Sequence, residues 1–363
     1  MNLKSVATVV FLGFSIVACS QITNKLSSNL AVKDAGISKA PSIEFLSRKN
    51  GSVSILDESY EMYFSILQER EIDVLTGIKP PSGNIEGARD FAREKFASAV
   101  IDFTADEKAC ISFVIKEVNQ VLNQNELNVV VNQPWKLIKI EDWLCGGFAH
   151  TRGDFIILSQ KHLDKLTSKW SDNMTEADQK QVVIGLGRLL VHEQFHCLQR
   201  TYKSMFDTLY TDSWGFKKVN VQPEEFITTN QLSNPDAPIP EWAFMSKGNY
   251  YWIRTLIKED VENPQMGADF MELIFLLNQE QDKFYVTKDA NGKIETFTLS
   301  QFPDYQNRFP VTRGLDHPNE ISAYMFSDYF NSLVNGSNLF EDSSKEAKLN
   351  SEKFIFWVKN YLH

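Results

Sequence analysis

Residues 192–196 read His-Glu-Gln-Phe-His, and their types and spacing suit metal-assisted hydrolysis. On a helix, positions four apart project from one face, one turn above each other. The two imidazoles can then share one ion, at about 2.0–2.1 Å each for zinc. Glu193 lies in the same turn and is not needed as a ligand. Its carboxylate can take a proton from a metal-activated water and later hand it on.

Two histidines leave tetrahedral zinc one protein ligand short, with the fourth place kept for water. After His196 come Cys197-Leu198-Gln199-Arg200, without the Gly and third His that would continue the motif locally. The third ligand therefore belongs to another segment. The leading candidate is Glu320, in His317-Pro318-Asn319-Glu320-Ile321-Ser322-Ala323-Tyr324. It falls in the first turn of an expected helix opened by Pro318, and Ser322 and Ala323 are small enough to let another element approach. A structural alternative is a Glu that merely favours a helix N-terminus. Glu241, in Ile239-Pro240-Glu241-Trp242, is the runner-up, followed by Glu224, Glu225 and His317. Peptide hydrolysis also needs a donor for the tetrahedral oxyanion. His317 and Tyr324, and after them Tyr250 and Tyr251, have suitable chemistry, either at the oxyanion or supporting the ligands.

Taken together, the HEQFH motif and the distant Asn-Glu-Ile-Ser-Ala segment resemble the gluzincin metallopeptidases, whose third ligand is a Glu on a downstream helix. The resemblance implies one zinc ion per chain, held by His192, His196 and Glu320, with Glu193 as general base and a peptide or protein as substrate. It also implies a zincin-like α+β fold: a small mixed sheet with the HExxH helix, then a mainly helical second subdomain. In zincins an edge strand upstream of the motif helix runs beside the cleft, and the substrate pairs with it. Gly147-Phe148-Ala149-His150-Thr151 is the expected edge, with His150 and Arg152 in reach of substrate or merely surface polar residues. The spacing from His196 to Glu320 exceeds the shortest in the family and implies an insertion.

Helical periodicity marks 57–76, 86–103, 106–123, about 160–168 and, most strongly, 176–203. In the last, Val182, Val183, Leu186, Leu189, Leu190, Phe195 and Leu198 form a buried face, while Gly185 and Gly187 imply close packing by another element. Leu127–Val131, Trp135–Ile140 and Phe148–Ser159 read as strands. Residues 204–240 read as a long connection over a cleft, with helices resuming at 241–258 and 267–279. Phe284–Thr287 and Ile294–Leu299 read as a hairpin around Asp289-Ala290-Asn291-Gly292. Helices are expected again at 318–334, ending before Gly336, and at 344–361.

The N-terminus addresses the compartment. Lys4 precedes an apolar run from Val6 to Val17, too short to span a membrane comfortably. Ile16-Val17-Ala18-Cys19 then resembles the lipobox of bacterial lipoproteins. That resemblance implies a signal peptide over 1–18, lipidation at Cys19 and a flexible tether over 19–45. It places the protein in the bacterial cell envelope, held at the membrane by its lipid anchor, and Ser20 in place of Asp leans toward the outer membrane. The expected divisions of the rest are a zincin subdomain over 46–205 and a mainly helical subdomain with the third-ligand helix over 206–363.

Of the other cysteines, Cys110 and Cys197 read as small buried hydrophobes, and with Cys145 they allow at most one internal disulfide. The 363 residues are 43% hydrophobic and 23% charged, enough for a sizeable core. A net charge of −10 without a basic run excludes a nucleic-acid partner. A competing reading of the same residues is a non-catalytic zincin-fold envelope lipoprotein that binds zinc or a protein partner.

Overall fold

A single apolar strand, Trp-Lys-Leu-Ile-Lys-Ile, organises the first half of the chain. Successive side chains on a strand point to opposite faces, and here both faces are covered. The computed structural model describes residues 42–168, 170–171, 173–337 and 343–363. The expected signal peptide, Cys19 and nearly all of the expected tether lie outside the described residues. The last part of that tether is a strand, β1 (Ile43–Phe45).

The sheet is completed by β2 (Val100–Ile101), β3 (Trp135–Ile140), β4 (His150–Arg152) and β5 (Phe155–Ser159). Its order is β1-β3-β5-β4, with β2 pairing β3. β1, β3 and β5 run parallel, and β4 turns back antiparallel along β5. Ile138, Ile140 and Ile157 face one core, under α1 (Arg48–Ser54), α2 (Glu69–Thr76) and α3 (Ile85–Ser98). Trp135, Leu137, Ile156 and Leu158 face the other, under α4 (Ala105–Gln124). Beyond β5 come α5 (Gln160–Thr167) and the motif helix α6 (Glu176–Thr201).

Polar side chains set several helix limits. Thr104 and Glu107 close a reciprocal capping box at the start of α4. Thr175 caps α6 by accepting from Asp178 N. The helix expected over 57–76 is interrupted: Asp57 accepts from Ser59 N and Glu58 from Phe64 N, so side chains take donors a helix would use. Leu127–Val131, expected as a strand, lies around a single helical turn, Asn128–Asn132. Its valines favour a strand, but Val129 N donates to Leu362 O, and tertiary context overrides propensity.

The second half departs most from expectation. In place of helices at 241–258 and 267–279 there is an antiparallel sheet, so this half is not mainly helical. Its strands are β6 (Lys217–Lys218), β7 (Trp242–Ser246), β8 (Asn249–Ile257), β9 (Phe270–Glu280), β10 (Lys283–Val286) and β11 (Thr296–Phe297). The order is β10-β9-β8-β7-β6, with β11 also on β9. The physical reason is local: Lys247 and Gly248 both take positive φ, giving a two-residue hairpin between paired Ser246 and Asn249. Aromatic and β-branched residues of β8 then favour extension. The two runs expected to pair with each other around 289–292 both pair with β9, and they also meet as expected at a short antiparallel bridge, Lys288 with Ile294, where Glu295 N donates to Thr287 O.

Helices α7 (Pro318–Asn335) and α8 (Lys345–Tyr361) complete the fold, α7 with Pro at its start and left-handed Gly336 after its end. Helices and two sheets are thus combined in an α+β arrangement. The packing of α7 on α6 crosses the boundary expected at 205, and the described chain forms one compact unit. At Gly187 a Cβ would lie 3.1 Å from Val118 of α4 and 3.2 Å from Phe330 of α7. That is the close packing the glycine implied. No described helix is long and apolar enough to cross a membrane.

One charged pair is buried inside this frame. Lys139 shares the α4-facing side of β3, and its ammonium donates to both Glu107 oxygens at 2.8 Å. Burial opposes the Glu107 charge, but Lys139 and the cap amide outweigh it and hold the carboxyl below its ordinary range. Removing one member strands the other charge. Lys139→Met is expected to lower unfolding free energy by about 3 kcal/mol, and the double variant with Glu107→Gln to recover most of that. Urea unfolding of the single and double variants checks this.

Candidate metal centre

Helix geometry places His192 and His196 one turn apart on α6, and α7 brings Glu320 against them from its own first turn. The two Nε2 atoms are 3.2 Å apart. Glu320 Oε2 is 3.6 Å from His192 Nε2, and Oε1 is 3.6 Å from His196 Nε2. All three residues are buried, and their donor atoms lie within 4.8 Å of one another. Zinc bonds of 2.0–2.1 Å at tetrahedral angles imply donors about 3.3–3.4 Å apart. Two imidazoles and a carboxylate that converge at this spacing fit zinc by geometry and donor type. This is the one such group among the described residues.

The surrounding polar groups orient the ligands. Gln199 Nε2 donates to Asn319 O and Ser322 Oγ, both at 2.9 Å, so its Oε1 is the atom left to accept from His196 Nδ1 at 2.8 Å. That bond puts the His196 proton on Nδ1 and leaves Nε2 free to bind. Burial also pushes the His196 imidazole toward its neutral form. Tyr210 OH lies 3.1 Å from Ser322 Oγ and extends the chain. Asn234 Nδ2 donates to Glu320 Oε1 at 2.7 Å. Burial alone would raise the Glu320 carboxyl, but His196, His192 and Asn234 outweigh it and hold it well below the carboxylate range.

The group opens on a cleft of about 690 Å³. Glu193 and Tyr324 share it. Burial pushes the Glu193 carboxyl well up, and Asp236 and Glu320 add to the rise. The Tyr324 ring centre is 4.4 Å from that of His192. Burial, then Glu320, pushes its phenol up, so it keeps its proton. Gly314, at φ +67°, lets the preceding loop pass the ligand helix; a Cβ there would lie 2.8 Å from Glu320 Cβ.

β4 is an edge of its sheet, as expected, but its outward amide is covered. Thr151 N donates to Asp236 Oδ1 at 2.6 Å. Asp236 belongs to the turn Asn234-Pro235-Asp236-Ala237, closed by Ala237 N to Asn234 O and by Asp236 N to Asn234 Oδ1. Arg200 donates to Pro235 O and Glu61 and holds the turn from behind. The connection expected to cover a cleft does so through this turn. His150 is buried on the cleft wall, and Arg152 points away, over the Tyr63 ring at 4.1 Å.

The remaining candidates lie elsewhere. His317 caps α7: Nδ1 accepts from Asn319 N at 3.1 Å, and Nε2 faces Ile239 O at 3.3 Å. Both ring nitrogens are thereby engaged. Tyr250 and Tyr251 sit on β8 among Phe284, and Phe244 and Phe302, respectively. Glu241 pairs with Lys203 and Lys218, Glu224 pairs with Lys288, and Glu225 opens a short helix. Cys110, Cys145 and Cys197 are buried and free. Sequence reading did not single out Gln199, Asn234 or Asp236. Gln199 had a usable signal, three residues beyond His196 on the same helix. Asn234 and Asp236 had none beyond turn chemistry.

Gln199→Leu keeps the helix but removes the proton partner of His196. Zinc affinity is expected to fall about 10- to 100-fold with the far-ultraviolet circular dichroism unchanged. Competition with a chromogenic chelator reads the affinity. Set against known proteins, the chain matches no family model, no curated protein and no solved structure.

Proposed function

We propose that this chain is a zinc metallopeptidase of gluzincin type, exported and lipid-anchored at Cys19 in the bacterial envelope. One observation carries the reading: His192, His196 and Glu320 converge, buried, with Glu193 in the same helical turn at the cleft. Bound there, zinc would polarise a scissile carbonyl and make water a nucleophile near neutral pH. Glu193 takes the proton from the attacking water and passes it to the leaving amine nitrogen as the C–N bond breaks. Burial raises the Glu193 carboxyl in the ion-free chain, and a dication held by the neighbouring histidines would favour the ionised form that accepts the proton. Tyr324 keeps its phenolic proton beside His192 and can donate to the developing oxyanion. Gln199 and Asn234 hold His196 and Glu320 in place.

The β4 edge favours a second reading. With the Thr151 amide taken by Asp236, a substrate strand cannot pair there while the turn stays in place. That observation supports a zinc-binding envelope lipoprotein without turnover. The following experiment separates the two.

Zinc content per chain is expected near one for the purified protein and for Glu193→Gln, and near zero for Glu320→Ala. On a quenched-fluorescence peptide library the wild type is expected to cleave, and Glu193→Gln to lose nearly all of that rate. Full zinc with no cleavage by the wild type would favour the non-catalytic reading; a chain without zinc would remove both.

A further inference from the structure

The charges of the cleft do not balance locally. Six charged residues line it: Glu193, Asp236, Asp316, Glu320, Arg188 and Arg313. Arg188 is paired with Asp328. Arg313 has no carboxylate within 4.0 Å among the described residues; its guanidinium rests on the Tyr324 ring, 4.6 Å from the centre. In a chain with 47 acidic and 37 basic residues, this arginine makes no ion pair among the described residues, although four carboxylates share its cleft. It is exposed, so its fork of donors is open to a ligand.

Its position sets what it can read. The guanidinium lies 4.6 Å from the Tyr324 ring centre, itself 4.4 Å from that of His192, so cation and ligand histidine are at most about 9 Å apart. An extended peptide advances about 3.3–3.6 Å per residue. That ceiling corresponds to at most two to three residues of an extended substrate. The group that matches an arginine fork in geometry and charge is a carboxylate.

We infer that Arg313 selects peptides carrying a carboxylate within about three residues of the bond cut, either an acidic side chain or the peptide's own C-terminus. The inference rests on the peptidase reading for the bond cut, but the carboxylate contact itself does not require turnover. Tyr324 is the platform that holds the guanidinium toward the reacting end of the cleft. Binding a carboxylate gives Arg313 the direct ion-pair partner that Asp328, engaged by Arg188, does not supply.

The test is fluorescence anisotropy with full-length zinc-loaded Glu193→Gln protein in detergent. Labelled peptides differ by Asp or Glu against Asn or Gln, and by a free against an amidated C-terminus. The acidic member of one pair is expected to bind at least about tenfold tighter. That preference disappears in Arg313→Ala, returns in part in Arg313→Lys, and survives removal of zinc. The pair that shows it tells side chain from C-terminus. Equal binding of acidic and neutral peptides, no binding of either, or a preference retained in Arg313→Ala overturns the inference; the last would mean the carboxylate sits on the metal. If the preference is present and the wild type cleaves nothing, the peptidase reading falls and the carboxylate site stands.

Discussion

The distance between two helices is the constraint on which the candidate site depends. His192 and His196 belong to α6 and Glu320 to α7, and nothing in either helix alone brings the donors together. Gly187 removes the side chain that would hold the helices apart, and Phe330 fills the space. Beside it Ser327 Oγ donates to Arg188 O at 3.0 Å. At the other end Gln199 bridges to Asn319 and Ser322. Behind the ligands, Phe195 stacks on Phe326 at 4.4 Å between ring centres. The helices are fixed at both ends and in the middle, so the donors are placed by packing and not by their own flexibility.

What could be read from the sequence divides along physical lines. α6 and α7 were legible because periodicity, capping and the Pro and Gly limits agree at every level. Glu320 was legible because two histidines leave a coordination place to fill. The second sheet was not, because the apolar runs Trp242–Met245 and Tyr250–Ile253 are short, and periodicity cannot divide such runs between strand and helix. The decisive signal was two residues, Lys247-Gly248, whose backbone only a hairpin requires. The polar residues around the ligands were hidden for another reason. Asn234 reaches Glu320 across 86 positions of sequence, and no local pattern encodes such a contact.

The cleft combines a crowded acidic end with two arginines, of which Arg188 is paired with Asp328 and Arg313 rests on Tyr324. Glu193, Glu320 and Asp236 crowd one end, and the repulsion from Asp236 and Glu320 adds to the rise that burial gives the Glu193 carboxyl. Arg200 sits behind Asp236 and offsets part of that charge. The same Asn234-to-Asp236 turn therefore touches the ligand set, the sheet edge and the field at Glu193.

Glu320 stands far along the chain from the histidines it must join. A growing polypeptide that has made α6 holds only two of three donors, and the close seat for α7 at Gly187 is empty. The contacts that complete the centre are long-range, joining Glu320 to histidines more than a hundred positions earlier, and such contacts are slow to form because the loop must close first. The three-donor group is therefore complete only once the last third of the chain has docked, and an unfinished or unfolded copy carries the two histidines without the third donor.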